Sequence, residues 1–530
     1  MHSVDTECGA EIRSRLWRVG TTLQLRKLTT ATLPGALTKA VLFATLLMAG
    51  RVAHAQTEAV LHSFSGTPDG AQPTSSLALN GGNLYGTTYD GGLGYGTVYE
   101  VSPNGSGGWT ETTVYSFCQL AACADGENPT YSSLVFDGQG NLYGTAYGGG
   151  ANGYGVVFEL SNSNGTWTES VLHSFANAPN DAANPGSGVI MDGAGNLFGV
   201  AFAGGTGNGK GCVFELSPSN GTWTAQVIYD MNSTHTGLTL SLPSTPEVIY
   251  GATYTTVFEL TPNGTGGWTE TALFTFTAAD SATEGAEPVG TLALDPSGNL
   301  YGATEAGGTN NKGVVYKLTP AATGNWTETV LFSFGGEGQY GPNGATPFAG
   351  VILDAQNNIY GATQAGGTKG AGTLYELVAP ANPNGAYKEH VFFNFDGENG
   401  AEPKSSLVQD SLGYLYGTTY LGGANGDGAV FQANAHAGVT KTTLTASPNP
   451  SVQGQAVTFT ATVTSSAGTP PPDGENVRFN GIGNAPLVNG VATFSTKRLP
   501  VGNTQTSATY GGDINFTSSN SAKLIQVVNQ

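Results

Sequence analysis

The sequence predicts an all-β chain: a seven-bladed β-propeller closed by its own N-terminal strand, followed by an Ig-like β-sandwich. Three observations predict it. An aromatic-Gly step recurs at Tyr85, Tyr143, Phe198, Tyr250, Tyr301, Tyr360 and Tyr416, spaced 58, 55, 52, 51, 59 and 56 residues apart. Each repeat reads as four short strands. The last repeat stops one strand short, and a copy of the missing strand stands at the start of the repeat region. Self-similarity at such periods marks repeat architectures.

Taken in order, the chain begins with a basic region ending at Lys39, an apolar run "AVLFATLLMAG" (40–50) and Ala53-His54-Ala55. Basic, apolar and A-x-A in that order read as a secretory signal over 1–55. The run is too short to span a membrane, which takes about 20 residues. No membrane span is expected after cleavage.

The repeat region is expected over 56–437. Each unit opens with an apolar strand such as "SSLVFD" (132–137). An Asp- and Gly-rich turn follows, as in Asp137-Gly-Gln-Gly-Asn141. Asp starts such turns and Gly accepts the positive φ they need. The second strand is "NLYGTA" (141–146) and its copies. A Gly-Gly loop leads to the third, such as "GVVFEL" (155–160), and a polar loop to the fourth, such as "WTETTVYSF" (109–117). β-branched and aromatic residues between Gly, Asn and Pro signal strands. No 3.6-residue period is sustained across the region. Four strands per unit of 50–58 residues fit one propeller blade; a parallel β-helix would have a shorter coil. Unit four lacks the Gly-Gly loop in "VIYGATYTTVFEL" (248–260), so its second and third strands should join tightly.

"EAVLHSF" (58–64) matches "ESVLHSF" (169–175), a fourth strand. Unit seven ends after its third strand, "GAVFQA" (428–433). The first strand is therefore expected to complete the last blade. An open array would leave an exposed strand edge, an aggregation hazard.

Residues 438–530 change character. Tyr-Gly steps cease, and "VTFTATV" (457–463) alternates as a half-buried strand does. Several short strands in about 90 residues imply a sandwich.

The chain holds 18 Lys/Arg and 38 Asp/Glu. Beyond residue 55 these become 11 and 35, a net of −24, and residues 56–437 alone carry −26. Such a surface repels phosphate backbones, so nucleic acid is not an expected partner. Solubility outside the cell is the simplest account. Cys118 and Cys123 lie close in a loop and are expected to pair in an oxidising compartment, leaving Cys212 buried in a strand.

"GNLYGTTYDGGLGYGTVYEVSP" (82–103) and its copies resemble the GloVer-type tandem repeat of bacterial choice-of-anchor exported proteins, over roughly 57–435. That resemblance implies a secreted or cell-surface location and brings no established activity. "LTASPNPSVQGQAVTFTATVTSSAGTP" (444–470) and "YGGDINFTSSNSA" (510–522) resemble a bacterial Ig-like domain, which implies a stalk or adhesive module.

Candidate chemistry centres on the loops joining fourth to first strands. Six units carry an Asp, Glu or Asn four residues before a Pro, at Asp69, Asp125, Asp181, Glu284, Asn343 and Asn399. Asp69, Asp125, Asp181 and Glu284, with Glu127, Glu287 and Glu402, are the candidate ligand-binding acids of one face. An oxygen-rich ring of this kind can hold Ca²⁺; turn formation accounts for the same residues without any ligand. Third-strand acids recur at Glu100, Glu159, Glu215, Glu259 and Glu376 on five units, which reads as a periodic outward-facing position. Trp109, Trp167, Trp223, Trp268 and Trp326 start fourth strands and suit packing between blades. No Ser/His/Asp set, G-x-S-x-G or phosphate loop occurs.

The expected function is binding or adhesion at the cell envelope or outside the cell by a monomer, without enzymatic activity, with a glycan or a surface protein as partner. An extracellular polysaccharide lyase or hydrolase using one of those carboxylates, and a purely structural spacer, are the alternatives.

Overall fold

A computed structural model describes residues 58–530, except 106–107, 208, 232–236, 242–247, 278–282, 322–325, 336–340, 381, 383–384, 436–439, 466–469, 472–473, 512–515 and 517–518. The segment expected as an export signal, 1–55, and the domain boundary expected at 437–438 lie outside the described residues. Among the described residues there is no α-helix, and no helix is long and apolar enough to cross a membrane.

Residues 58–433 form seven antiparallel sheets of four or five strands. Unit two is representative, with strands Val135–Phe136, Leu142–Ala146, Val156–Ser163 and Thr166–Ser174 paired in that order. The second and third strands are buried on both faces at their centres, whereas the fourth is exposed or half-buried along its length. Leu142–Ala146 is buried at every position.

The aromatic-Gly step has two physical causes. A third-strand aromatic lies across each glycine: a Cβ at Gly302 would sit 2.4 Å from the Tyr316 hydroxyl, and one at Gly144 would sit 2.6 Å from Phe158 Cζ. The tyrosine hydroxyl ties down the preceding turn. Tyr143 donates to Asp137 Oδ2 (3.1 Å), whose Oδ1 takes the amides of Gln139 (2.9 Å) and Asn141 (2.8 Å). Tyr301, Tyr360 and Tyr416 do the same at Asp295, Asp354 and Asp410. Burial opposes the charge of Asp137 and Asp295, but these hydrogen bonds outweigh it and lower both carboxyls below their ordinary range.

The first strand, Glu58–Ser63, pairs antiparallel with Ala429–Ala433 of unit seven, from Glu58 opposite Ala433 to Ser63 opposite Ala429. Its register shifts between Val60 and His62. The same bulge recurs between third and fourth strands in units one to six, as at Val98/Tyr99 and Leu374/Tyr375. "EAVLHSF" thus carries the geometry of a fourth strand as well as its sequence.

Neighbouring units are joined by one repeated device. The residue before the repeated proline sits at positive φ, as at Asn128 (53°), Asn184 (54°), Thr346 (50°) and Glu402 (53°). Proline pushes its predecessor toward extended backbone, so this is a strained position, worth about 1–3 kcal/mol where it recurs. Its amide donates into the previous unit, Asn128 to Tyr95 O (2.7 Å) and Asn184 to Tyr154 O (2.7 Å). The proline ring lies where a Cβ on that unit's loop glycine would fall, as with Pro129 on Gly96 and Pro185 on Gly155.

Between the last unit and the first the device is the same. Gln72 has φ 57° and donates to Asp427 O (2.8 Å), and Pro73 covers Gly428. Thr418 Oγ1 reaches Ser75 O (3.3 Å), and Phe64, Leu77, Tyr99, Tyr416 and Val430 share one apolar cluster.

In unit four the second and third strands join through a tight turn, Thr253 N to Thr256 O at 2.8 Å, as expected. Most of its preceding loop lies outside the described residues.

The C-terminal strands between Thr440 and Asn529 form three small sheets around Val457, Phe459, Val463, Val477, Phe479 and Tyr510. Residues 457–463 alternate buried and half-buried throughout, as the sequence pattern predicts.

Candidate functional site

All seven units contribute to one cavity of about 250 Å³. Apart from Phe202 and the residues of unit four, which lacks the proline, its wall is built from the residues that follow the repeated proline and lead into the first strand. Thr74 and Ser76, Tyr131 and Ser133, Ser187 and Gly188, Leu238, Gly290 and Thr291, Phe348, and Lys404 and Ser406 line it in turn. Small residues allow the units to meet here. A Cβ on Gly188 would lie 1.9 Å from Ser133 O, and one on Gly290 would lie 1.9 Å from Gly350 N.

Tyr131, Phe202 and Phe348 give the wall aromatic faces. Tyr131 and Phe348 lie 6.0 Å apart at a 36° tilt. Lys404 brings a positive charge. Its Nζ is 6.0 Å from the Phe348 ring centre, 3.8 Å over Tyr420 and 3.2 Å from Glu402 Oε2. Cation–π contact and one carboxylate hold the ammonium in place. Burial, with Tyr420 and Glu305 nearby, raises the Tyr131 phenol. It therefore stays a neutral donor and acceptor.

None of the seven candidate acids is part of this wall. Asp69 takes the Ser65 amide and hydroxyl and lies 2.9 Å from His62 Nε2. Asp125 is fully buried and takes the Tyr115 hydroxyl (2.8 Å) and the amides of Gln119 and Leu120. Asp181 takes His173 Nε2 (3.1 Å) and the Ala176 amide (2.8 Å). Burial would raise the Asp181 carboxyl, but these bonds and the imidazole charge lower it. All three are engaged in their own turns. Glu127 pairs through its backbone with Gly148. Glu287 sits at φ 62° and takes the Tyr254 hydroxyl. Glu284 is half-buried, close enough to Glu328 to act on it. Glu402 alone reaches a residue of the wall, Lys404.

Cys118 and Cys123 form a disulfide, and Cys212 is buried and unpaired in its strand. The third-strand acids do not face outward, and this corrects the sequence reading. Glu376 is fully buried and Glu215 nearly so. Glu215 accepts from Trp268 Nε1 of the neighbouring sheet (3.1 Å), and Glu376 accepts from Tyr360, opposite it on the adjacent strand of its own sheet (3.1 Å). The tryptophans pack between units as expected, Trp167 on Tyr85, Trp223 on Tyr143 and Trp109 on Tyr416.

The fourth-strand glutamates went unnoticed in the sequence. Burial raises Glu111, Glu169, Glu328 and Glu389 to about 7, with Asp69, Asp125 and Glu284 adding like charge beside the first three. The signal was present in "WTET", where the acid sits two residues after the tryptophan. The cavity residues were also missed. Their signal is that the position after the repeated proline changes while its neighbours repeat: Thr74, Thr130, Gly186, Val289, Phe348, Lys404.

Comparison with solved structures finds likeness at low identity. The extracellular domain of a protein described as a one-component system of B. thetaiotaomicron matches at 14% identity, covering 88% of this chain and 56% of that one, with a TM-score of 0.44. PorZ, a surface component of the type-IX secretion system of Porphyromonas gingivalis, matches at 16% identity, over 88% and 61%, with a TM-score of 0.42. A polysaccharide lyase of the ulvan lyase type matches at 11% identity, over 69% and 94%, with a TM-score of 0.42. The chain thus spans a little over half the length of the first two. Comparison with curated proteins gives no match. Two family models match: a group 3 bacterial Ig-like domain covers 444–529, and the Gloeobacter/Verrucomicrobia repeat covers 49–256 and 250–469. With two tandem copies of that repeat spanning most of its length, the chain belongs to the Gloeobacter/Verrucomicrobia repeat family.

Proposed function

We propose that the seven sheets are the blades of a propeller closed by the N-terminal strand, and that this exported, non-enzymatic protein binds a glycan in the cavity the blades share. The observation that carries the reading is where the repeat varies. Unit after unit keeps its proline, its small residues and its apolar strand, yet the residue after the proline changes from Thr to Gly, Val, Phe and Lys. A framework that repeats and a wall that differs is the arrangement of a recognition site on a rigid scaffold. The shared device at the last and first units supports closure.

The wall suits a sugar. Tyr131, Phe202 and Phe348 present apolar faces, the serine and threonine hydroxyls supply short polar contacts, and Lys404 favours a saccharide bearing an acid group. Few polar groups in a mostly apolar concavity are typical of ligand sites. The raised phenol of Tyr131 and the paired state of Lys404 make neither a ready base, which supports binding over catalysis.

Glycan-array screening followed by calorimetry tests this. Phe348→Ala and Lys404→Ala are each expected to weaken binding of the best acidic glycan by tenfold or more, about 1.4 kcal/mol. Affinity unchanged in both variants refutes the cavity as the site. Cleavage of the glycan that disappears in Lys404→Ala refutes the non-enzymatic reading.

A further inference from the structure

One cluster of metal-binding side chains lies apart from the cavity, at the seam between the last unit and the first. His62 comes from the first strand, Asp69 from the loop after it, and Glu111 from the fourth strand of unit one. One ligand atom from each lies within 4.8 Å of the other two. The only other such group among the described residues contains the Cys118–Cys123 disulfide, whose sulfurs are already bonded.

We propose that His62, Asp69 and Glu111 bind one zinc-class divalent ion that clamps the N-terminal strand to unit one. The donor set selects the ion. Imidazole nitrogen with two carboxylates suits zinc, whereas Ca²⁺ prefers oxygen alone. Ligands about 2.0–2.1 Å from one tetrahedral ion stand about 3.3 Å apart. His62 Nε2 and Asp69 Oδ2 are 2.9 Å apart, so that pair needs only a small opening, and Glu111 needs to approach by no more than about 1.5 Å. Neighbouring groups orient each ligand. Ser65 holds Asp69 Oδ1 (2.9 Å) and leaves Oδ2 toward the imidazole. Thr113 holds one oxygen of Glu111 (3.3 Å), and Phe64 packs edge-on against the imidazole (4.8 Å). Such outer contacts are what metal ligands require.

Sister positions in the same chain show that the set is not a by-product of the repeat. His173 and Asp181 repeat the first two ligands, but Ala225 stands where Glu111 would be. Asp125 and Glu169 repeat the last two, but Tyr115 replaces the imidazole. At Glu284 and Glu328 the imidazole is replaced by Phe274. All three ligands coincide only at the seam.

These sister positions also provide substitutions the fold already accepts. Purified protein is titrated with ZnCl₂, and bound zinc is counted after dialysis and metal analysis. One equivalent is expected, with a melting midpoint raised by about 3 °C at a hundredfold excess over Kd. CaCl₂ is expected to do neither. Glu111→Ala and His62→Phe should each abolish the equivalent, while His173→Phe should keep it. No stoichiometric zinc, or zinc retained in Glu111→Ala and His62→Phe, overturns the proposal. A loss in His173→Phe equal to that in His62→Phe also overturns it. Circular dichroism of each variant separates lost binding from lost fold.

Discussion

Replacing Phe64 by alanine tests whether the N-terminal strand is docked. The ring is fully buried and meets Tyr99 edge-on at 4.9 Å. It lies in one cluster with Leu77, Leu84, Val101, Tyr416 and Val430. Those neighbours come from units one and seven, so the cavity left behind cannot close by moving a single sheet. Truncating a phenylalanine so enclosed costs about 3–5 kcal/mol. Unfolding entropy of about 2.1 cal/mol/K per residue over 58–433 gives roughly 0.8 kcal/mol per degree, so about 4 kcal/mol lowers the midpoint by ~5 °C. Urea and thermal unfolding, followed by tryptophan fluorescence, read both quantities. Phe64→Leu is the control and should cost under about 1.5 kcal/mol. A loss in Phe64→Ala below about 1 kcal/mol would mean that the side chain is exposed in solution, and docking of the strand would be refuted.

Stability should fall as pH rises from about 5 to 8. Glu111, Glu169, Glu328 and Glu389 sit near 7 when folded against an ordinary 4.5, so the folded chain holds the extra protons in that window and loses the benefit as they leave. Asp137, Asp181 and Asp295 act oppositely, contributing stability above 3.8 that is lost in stronger acid. Urea midpoints that stay flat or rise from pH 5 to 8 would contradict this. Gly188→Ala forces a Cβ to within 1.9 Å of a backbone oxygen and should cost about 3 kcal/mol, whereas Gly138→Ala, with nothing within 4 Å, should change stability by under about 0.5 kcal/mol. Equal denaturation midpoints for the two glycine variants would show the inter-unit approach to be looser than described. Asp295→Ala removes the acceptor of Ser297, Asn299 and Tyr301 and should destabilise unit five by about 2–3 kcal/mol, read as faster amide exchange at 295–301.

The repeat, its strands and the role of "EAVLHSF" were legible because each follows from local chemistry. The aromatic-Gly step, the Asp turns and the missing seventh strand are visible as text. Side-chain direction was not. Whether Glu376 faces water or the next sheet depends on how sheets are stacked, and a period of two cannot tell one buried face from an exposed one. The bulge at Val60/His62 shifts alternation in the fourth strand, and nothing in the residue types marks it. The cavity was misjudged for a related reason. The charged loop residues stand out in the sequence but are consumed by their own turns, while the wall is made by inconspicuous serines, glycines and the one variable position after proline.

Glu58 stands opposite Ala433 on one rung of the same ladder. Chain arriving from the N-terminal side and chain leaving toward the Ig-like domain therefore meet side by side. Tension applied through these two points would load that ladder one hydrogen bond at a time, as a zipper is opened, and leave the other six sheets unstressed. Pulling on residues 58 and 433 should peel Glu58–Ser63 away at low force before any other strand yields. A load-bearing tether would thus bypass the repeat region until that first strand gives way.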